Sequence, residues 1–200
     1  MNKYLRILIV SAALSLSGCA LFAIGGATAA GALSYSDRRT TGAQADDQVM
    51  ELSVGNQIRT YLKAQGADNA DISVVSYNRS ILLLGVVATE EQRLTAERTA
   101  RAQQAVNKVY NYITVGGTYS SAANDTWITS KVRTMLLKPS GFLPSHVKVV
   151  TYNGITYVMG ILTPAEQEAA SNQIRTVSGV QKVITLYETF ISPTDNSSAQ

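Results

Sequence analysis

The chain has 200 residues, of which 17 are basic and 14 acidic, with one histidine and one cysteine. Two of the basic residues, Lys3 and Arg6, lie in an N-terminal segment with the features of a cleaved signal, and without them 15 basic residues face 14 acidic ones. So small an excess of positive charge gives no reason to expect a nucleic-acid partner. A single cysteine also excludes an intramolecular disulfide and a metal site built from several thiolates.

The N-terminus has the layout of a secretory signal. Lys3 and Arg6 precede an apolar run from Ile7 to Leu16, and Leu16-Ser17-Gly18-Cys19 closes it. This layout resembles a bacterial lipoprotein signal, which implies that residues 1–18 are removed and that Cys19 becomes the first residue, carrying diacylglycerol and an N-acyl chain such as palmitate. By the same resemblance, Ala20, a residue other than aspartate after the cysteine, permits sorting to the outer membrane of a double-membraned bacterium, with the periplasmic face as the expected side.

A transmembrane helix is the alternative interpretation of this segment. No charged residue occurs between Arg6 and Asp37, and a span needs about 20 predominantly apolar residues. After Cys19, however, the bulky side chains soon give way to Gly, Ala, Ser and Thr from Gly25 to Ser34, which contribute little to helix formation or to insertion into hydrocarbon. The lipoprotein interpretation is therefore favoured, with residues 19–47 as a lipidated, flexible tether.

An internal repeat organises the rest of the chain. Val74-Val75-Ser76-Tyr77-Asn78 recurs as Val149-Val150-Thr151-Tyr152-Asn153, at an offset of 75 residues. Before and after these segments the offset is 74, as shown by Ala105-Val106-Asn107-Lys108-Val109 and Gly179-Val180-Gln181-Lys182-Val183. The sequence is therefore expected to contain two copies of one domain.

Each copy has the pattern helix, strand, strand, helix, strand. In the first copy an apolar stripe predicts a helix around Val54 to Leu62, and two β-branched runs flank a turn at Asn78-Arg79-Ser80. The second copy has Asn153-Gly154 at the turn, and both residues tolerate positive φ. Capping boxes at Thr89-Glu90-Glu91-Gln92 and Thr163-Pro164-Ala165-Glu166 begin the second helices, and the last strands are predicted at Lys108 to Val115 and Lys182 to Phe190.

These elements predict an α+β protein of two tandem domains, each αββαβ, with a mixed three-stranded sheet packed by two helices. The expected boundaries are 48–116 for the first domain, 117–123 for a linker, 124–191 for the second domain and 192–200 for a disordered tail.

The duplicated unit resembles the BON domain. The resemblance rests on Tyr-Asn between the strands, the glycines Gly85 and Gly160 in the second strands, the Thr-led second helices and (Gly/Ala)-Val-x-Lys-Val before the last strands. Two copies behind a lipoprotein signal resemble the dual-BON-domain outer-membrane lipoproteins, and the likeness covers essentially the whole chain. Asn124-Asp125-Thr126-Trp127-Ile128-Thr129 with Lys131-Val132-Arg133 is its most specific stretch, whereas Ala105 departs from the glycine found at 179. The resemblance implies a non-enzymatic envelope protein that binds phospholipid membrane through its second domain and supports envelope integrity.

A comparison of the two copies points to the same surface. Trp127, Lys131, Thr134 and Lys138 recur at i, i+4, i+7 and i+11 and so line a face of the helix that differs from its core stripe. At an offset of 74 their counterparts are Ser53, Gln57, Thr60 and Ala64, which lack the aromatic ring and the charges. An indole beside two ammonium groups suits an anionic phospholipid surface. Leu137 and Phe142-Leu143 either insert with them or close the domain's own core.

Other functions have weaker support in the sequence. In the alternative interpretation, Trp127 and exposed tyrosines contact another envelope protein, and the chain is an interaction scaffold. A small-solute or glycan module needs a pocket with convergent polar side chains, and the sequence does not indicate one. His146, expected at a surface or strand edge, lacks the partners of a catalytic triad or a zinc site. The carboxylates of Glu90-Glu91 and of Glu166 and Glu168 fall in the first turns of predicted helices, where the helix dipole favours negative charge. No enzymatic activity, cofactor, metal, nucleic acid or small-molecule substrate is therefore expected.

Overall fold

Two copies of the same five-element unit follow one another along the chain, as the repeat predicts. The structure is a computed structural model that describes residues 37–67, 70–119, 121–137 and 142–191. The first copy consists of α1 (Thr41–Ala64), β1 (Asp71–Tyr77), β2 (Ser80–Val87), α2 (Glu90–Arg101) and β3 (Lys108–Val115). The second consists of α3 (Ala122–Leu136), β4 (Val147–Tyr152), β5 (Ile155–Leu162), α4 (Pro164–Arg175) and β6 (Lys182–Thr189), with a short 3₁₀ turn at Pro144–His146 before β4.

Each copy forms a mixed three-stranded sheet, which confirms the predicted α+β class. The central strands β2 and β5 pair antiparallel with β1 and β4, and parallel with β3 and β6. Two-residue turns close both hairpins, at Asn78-Arg79 with φ of 51° and 62° and at Asn153-Gly154 with φ of 51° and 75°. Two successive positive φ values match the twist of the flanking strands. The parallel pairs are joined by crossovers through α2 and α4.

Both predicted capping boxes are present. The hydroxyl of Thr89 accepts from the amide of Gln92, whose side chain accepts from the amide of Thr89 in return. Thr163 and Glu166 make the same reciprocal pair at the start of α4, where Pro164 is the first helical residue. These bonds satisfy amide groups that have no partner within the helix.

The described parts of the two copies pack as four layers, with helices outside and the two sheets inside. Ile81 and Leu83 of β2 face α1 and α2, whereas Leu82 and Leu84 face the other sheet. A central cluster joins the sheets and consists of buried side chains from both copies: Val75, Tyr77, Leu82, Leu84, Tyr152, Tyr157, Met159 and Leu186. The edge of the Tyr112 ring meets Tyr157 at a centroid distance of 5.0 Å. Both copies belong to one compact unit that begins at Arg39.

Polar contacts border this apolar cluster. The ammonium of Lys148 forms an ion pair with Glu51 and donates to the carbonyl of Ser76 at 3.0 Å. Glu188 accepts from the Asn78 amide group at 2.6 Å and from the Ser80 hydroxyl at 3.0 Å. These bonds cross between the copies at several points, so they fix how the two sheets are oriented.

Tyrosine hydroxyls at the interface also bond to carboxylates. Tyr152 donates to Asp71 at 2.9 Å, and Tyr119 stacks on the Tyr152 ring at a centroid distance of 4.2 Å. Burial, and secondarily the hydrogen bond to Asp125, raises the pKa of Tyr119 to about 12. Burial raises the pKa of Tyr157 to about 12, and burial together with the Asp71 hydrogen bond raises the pKa of Tyr152 further. Each phenol is therefore held neutral, because the folded protein disfavours its anion.

Two element boundaries differ from those expected. Helix α1 begins at Thr41, so residues 41–47 are helical and do not belong to a tether. The hydroxyl of Thr40 caps the helix, and the buried carboxylate of Asp47 accepts from the amides of Asn78 and Arg79 at 2.8 and 2.7 Å. Helix α3 begins at Ala122, inside the expected linker 117–123. The signal, Cys19 and the tail 192–200 lie outside the described residues.

Candidate functional site

Helix α3 is held in the second domain by one face, which leaves another face toward solvent. Ile128, Val132 and Leu136 are buried in the core of that domain. At the start of the helix, the carboxylate of Asp125 accepts from the amides of Asn153 and Gly154, at 2.6 and 2.9 Å. The helix is therefore fixed to the β4–β5 turn, and the orientation of its outer face follows from that contact.

The outer face carries the residues that the sequence singled out. The side chains of Trp127 and Leu137 are 64% and 69% exposed, although both are large and apolar. The Lys131 ammonium lies 5.9 Å from the centroid of the Trp127 ring and donates to the carbonyl of Ser178. Thr134 is exposed, and its hydroxyl donates to the carbonyl of Ser130 at 2.9 Å. An exposed aromatic ring beside a cation has the composition of an interfacial surface.

The structure brings Trp127, Lys131 and Thr134 together on one face, with Leu137 at the end of the helix. Lys138 lies outside the described residues, so its membership of the surface stays a prediction. Of the two further candidates, Phe142 is buried in the domain core, and Leu143 is 46% exposed. Phe142 therefore closes the core, as one of the two interpretations expected.

A groove with a volume of about 450 Å³ separates α3 from the segment that follows α4, and we call it the α3 groove. Its lining consists of residues from these two segments: Trp127, Ser130, Lys131, Thr134, Met135, Thr176, Val177 and Ser178. Thr176, Val177 and Ser178 are not among the predicted site residues, because they lie more than forty residues from α3 along the chain. Comparison of the two copies could have indicated this segment, because the apolar Val177 stands where the first copy has the polar Gln103.

In the first copy the equivalent face is closed by hydrogen bonds. The hydroxyl of Ser53, the counterpart of Trp127, donates to Gln103 at 3.1 Å. Gln57, the counterpart of Lys131, donates to Ser53 at 3.0 Å and accepts from Gln103 at 3.4 Å. The three polar side chains thus satisfy one another. Trp127, Lys131 and Val177 replace this triad in the second copy, so only that copy presents the apolar ring and the cation.

A larger concavity, of about 620 Å³, lies in the first copy, away from α3. Small residues and backbone form most of its wall, including Gly66, Gly116 and Gly117. Its carboxylate, Asp71, already accepts the hydroxyl of Tyr152. A small-solute site needs several polar side chains that converge on the ligand, and this concavity does not supply them.

His146 is not the surface or edge residue that the sequence suggested. It is buried in the 3₁₀ turn, where Pro144 and Leu143 bring the chain back toward β4. Over the described ranges, no group of three or more His, Cys, Asp or Glu residues could hold a metal ion. The same part of the chain contains no helix with the length and apolarity needed to span a membrane.

Comparison with known proteins defines the class of this chain. The BON domain family matches residues 53–117 and 124–186, which are the two copies described above. The chain therefore belongs to the BON domain family.

Two relatives extend the similarity beyond the domains. The chain is 34% identical to the outer membrane lipoprotein DolP of Haemophilus influenzae over 185 residues, which cover 90% of this chain and 93% of that protein. It is 36% identical to the 21 kDa hemolysin of Actinobacillus pleuropneumoniae over 150 residues, 74% of this chain and 76% of the relative. Among solved structures, CdsD of the Chlamydia trachomatis type III secretion system shares 15% identity with a TM-score of 0.31, covering 74% of this chain and 66% of that one. A TM-score this low supports no argument.

Proposed function

We propose that this protein is a lipoprotein of the bacterial outer membrane that binds anionic phospholipid through its second BON domain and supports the integrity of the envelope. Diacylglycerol and an N-acyl chain on Cys19 anchor it, on the periplasmic face. It performs no catalytic step, and its partner is the membrane surface. Similarity to the Haemophilus influenzae lipoprotein over most of both chains supports the location, together with the signal layout that ends at Cys19.

The main support for membrane binding by the second domain is a difference in surface composition between the two copies. The fold of the copies is the same, yet Trp127 is 64% exposed where the first copy has a hydrogen-bonded serine. Exposing an indole to water is unfavourable, whereas at a membrane interface the ring lies at headgroup depth. Lys131, beside it, adds the positive charge that an anionic surface attracts.

The lipid anchor and the α3 face act together in this proposal. One lysine near an anionic surface contributes about 1 kcal/mol, which is too little to hold a protein on a membrane by itself. An anchored domain meets the same membrane at a high effective concentration, because the tether converts binding into an intramolecular event. Weak contacts from Trp127, Lys131 and Leu137 are then sufficient to orient the domain.

Co-sedimentation with lipid vesicles tests the proposal. The protein beginning at Ala20 keeps every described residue and lacks the anchor, so any binding comes from the domains. We expect it to sediment with vesicles that contain anionic phospholipid, and not with phosphatidylcholine alone. Trp127→Glu should abolish binding, because it places a carboxylate at the interface. Ser53→Glu, the matched change in the first copy, should bind like the wild type.

Two results would contradict this function. If the wild type and Trp127→Glu sediment equally well, the α3 face is not the contact. If neither binds to any vesicle, the anchor is the only membrane contact, and the exposed tryptophan is better explained by a protein partner of the envelope.

A further inference from the structure

We infer that the outer edge of β6 pairs with the β6 edge of a second copy of this chain, as two antiparallel strands related by a two-fold axis at Thr185. The free edge of a strand presents amide and carbonyl groups that another strand can bind. The two three-stranded sheets have four such edges, at β1, β3, β4 and β6. Side chains cap three of them, whereas over the described residues no side chain caps the edge of β6.

The edges of β1 and β4 are capped by side chains from neighbouring elements. On β1, the carboxylate of Glu51 accepts from the amide of Ser76 at 2.7 Å, and the ammonium of Lys148 donates to the carbonyl of the same residue at 3.0 Å. On β4, the hydroxyl of Thr129 accepts from the amide of Thr151 at 2.9 Å. Backbone groups that are already bonded cannot pair with another chain, so these two edges are protected.

The strands β3 and β6 occupy the same place in the two copies, but only β3 is capped. The amide of Gly116 donates to the carbonyl of Val87 on β2, so odd-numbered residues of β3 direct their amides away from β2. One of these outward amides, that of Ile113, donates to the side-chain oxygen of Asn111 at 3.1 Å. The counterpart of Asn111 at an offset of 74 is Thr185, which is exposed. The second copy therefore leaves open the edge that the first copy closes.

The alternation of bonds along β6 determines which backbone groups are free. The amide of Phe190 donates to the carbonyl of Leu162 on β5 at 2.9 Å, so the even-numbered residues of β6 bond to β5. The odd-numbered residues direct their amides and carbonyls outward, and they are Val183, Thr185, Tyr187 and Thr189. An antiparallel pair needs outward residues opposite one another on both strands. A register that places Thr185 opposite its own copy meets this requirement.

The same register also matches side chains across the axis. It places Lys182 opposite Glu188, and Ile184 opposite Leu186, once on each side of the axis. Lys182 is exposed, and the carboxylate of Glu188, which accepts two hydrogen bonds from the first copy, retains lone pairs for an ammonium. Opposite charges directly across an antiparallel pair are stabilising. A shift of the pairing by two residues places Lys182 opposite Phe190 or Leu186 and loses both charge pairs, so the charges select one register.

A second copy is the partner that this edge fits, because β6 supplies both members of each charge pair. Such self-complementarity is the property of an interface with two-fold symmetry. A single pair of strands is small compared with the area of about 1,200 Å² or more that stable complexes bury, so the pair is weak in free solution. Copies held on one membrane meet at a high effective concentration, which favours the pair there. The pairing does not use α3, so it is independent of the phospholipid binding proposed above.

Cysteine cross-linking tests the geometry. The protein beginning at Ala20 lacks Cys19, the only cysteine of the chain, and an added N-terminal histidine tag holds it on phosphatidylcholine vesicles that contain a nickel-chelating lipid. In the inferred register the two Cα atoms at position 185 are about 5.5 Å apart, within the range of a disulfide. Thr185→Cys should therefore form covalent dimers under mild oxidation. Thr189→Cys is the control on the same strand and should give only background, because its two copies lie about 27 Å apart.

A charge reversal tests the register. Lys182→Glu, combined with Thr185→Cys, replaces both attractive pairs by repulsive ones and should slow cross-linking about ten-fold. Lys108→Glu, at the matched position of β3, changes the net charge equally and should leave the rate of cross-linking unchanged. Urea unfolding of each variant verifies that it is folded.

Three results would overturn the inference. Equal cross-linking of Thr185→Cys and Thr189→Cys would show that the copies only collide at random, and absence of cross-linking at both positions would show that the edges do not meet. Equal slowing by Lys182→Glu and Lys108→Glu would show that net charge, and not the strand register, controls association. None of these results bears on the proposed function, because the vesicles contain no anionic phospholipid.

Discussion

At the scale of single residues, the proposed function assigns to Lys131 the charge that attracts the second domain to an anionic surface. Lys131→Gln gives it the side chain of its counterpart, Gln57. We expect about five-fold weaker binding to anionic vesicles and a smaller dependence on salt, because one lysine contributes about 1 kcal/mol at such a surface. Titration at two ionic strengths measures both effects. Lys63→Gln, on the exposed side of α1, is the control, and an equal loss there would show that only net charge matters.

Ala105 marks one place where the two copies differ in backbone strain. Its φ is 62°, and the counterpart Gly179 has a φ of 99°. A residue with a Cβ pays about 1–2 kcal/mol in the left-handed region, and part of this is recovered because alanine restricts the unfolded chain more than glycine does. Ala105→Gly should therefore raise the free energy of unfolding by about 0.5–1 kcal/mol.

Urea denaturation with an unchanged m value measures that gain. The reverse change, Gly179→Ala, should destabilise, since its Cβ would lie 3.1 Å from Cγ1 of Ile128 as well as requiring the strained φ. If Ala105→Gly lowers the stability, strain at that turn is not the cause of the difference between the copies.

At the scale of elements, local signals in the sequence predict the hairpins and the starts of α2 and α4 well. Asn153-Gly154 and the two capping boxes depend on residues within four positions of each other, so the pattern contains all the necessary information. The start of α1 is different. Its first turns are small and polar, and they are stabilised by Asp47, which contacts a turn about thirty residues away.

This tertiary contact makes Asp47 a critical residue of the first domain. Asp47→Ala should lower the free energy of unfolding by about 3 kcal/mol, because it leaves the buried hydroxyl of Ser76 and the half-buried amides of Asn78 and Arg79 without their acceptor. The neighbouring Asp46 pairs with Arg79 at a half-exposed position, so Asp46→Ala should cost less than about 1 kcal/mol. Chemical denaturation of both variants compares them, and similar losses would show that the turn does not depend on Asp47.

The candidate site was partly predictable, because one of its walls lies within a single helix and the other comes from a distant segment of the chain. Helical periodicity places Trp127, Lys131 and Thr134 on one face without any knowledge of the fold. The opposite wall of the α3 groove comes from the segment after α4, and no local pattern connects it to α3. Only the alignment of the repeat, which pairs Val177 with Gln103, indicates that this position has changed its role.

At the scale of the whole molecule, the packing of the two sheets was not predicted. The sequence contains one indication that a second surface covers the sheet. In β2, apolar residues occupy adjacent positions: Ser80-Ile81-Leu82-Leu83-Leu84-Gly85-Val86-Val87. A strand that is buried on both faces has this composition. The sequence does not say which surface covers the second face, since that depends on the curvature and side chains of both sheets.

Because the interface buries neutral tyrosines, the free energy of unfolding is expected to fall at alkaline pH. In the unfolded chain a tyrosine has a pKa of 10.0, and in the folded protein the pKa of Tyr157 is about 12. Between these values the unfolded state has lost a proton that the folded state keeps, so this stabilising contribution is present below pH 10 and is lost as the pH rises toward 12. Tyr157→Phe should reduce the slope of unfolding free energy against pH in this window by about 1.4 kcal/mol per unit.

Urea unfolding at several values between pH 9 and pH 12 measures the slope for both proteins, and comparison at pH 7 removes the effect of the substitution on packing. Identical slopes would show that Tyr157 ionises equally easily in the folded and unfolded chains.

The back-to-back packing of the sheets has a consequence for distance. Helices α1 and α2 cover one outer side of the assembly, and α3 and α4 cover the other. Layers in such an arrangement are spaced by about 10 Å, so four layers separate the two helical sides by about 30 Å. In the proposed orientation, with α3 against the membrane, this spacing places the outer surface of α2, with its Glu97–Arg101 ion pair, in the aqueous space on the far side of the assembly.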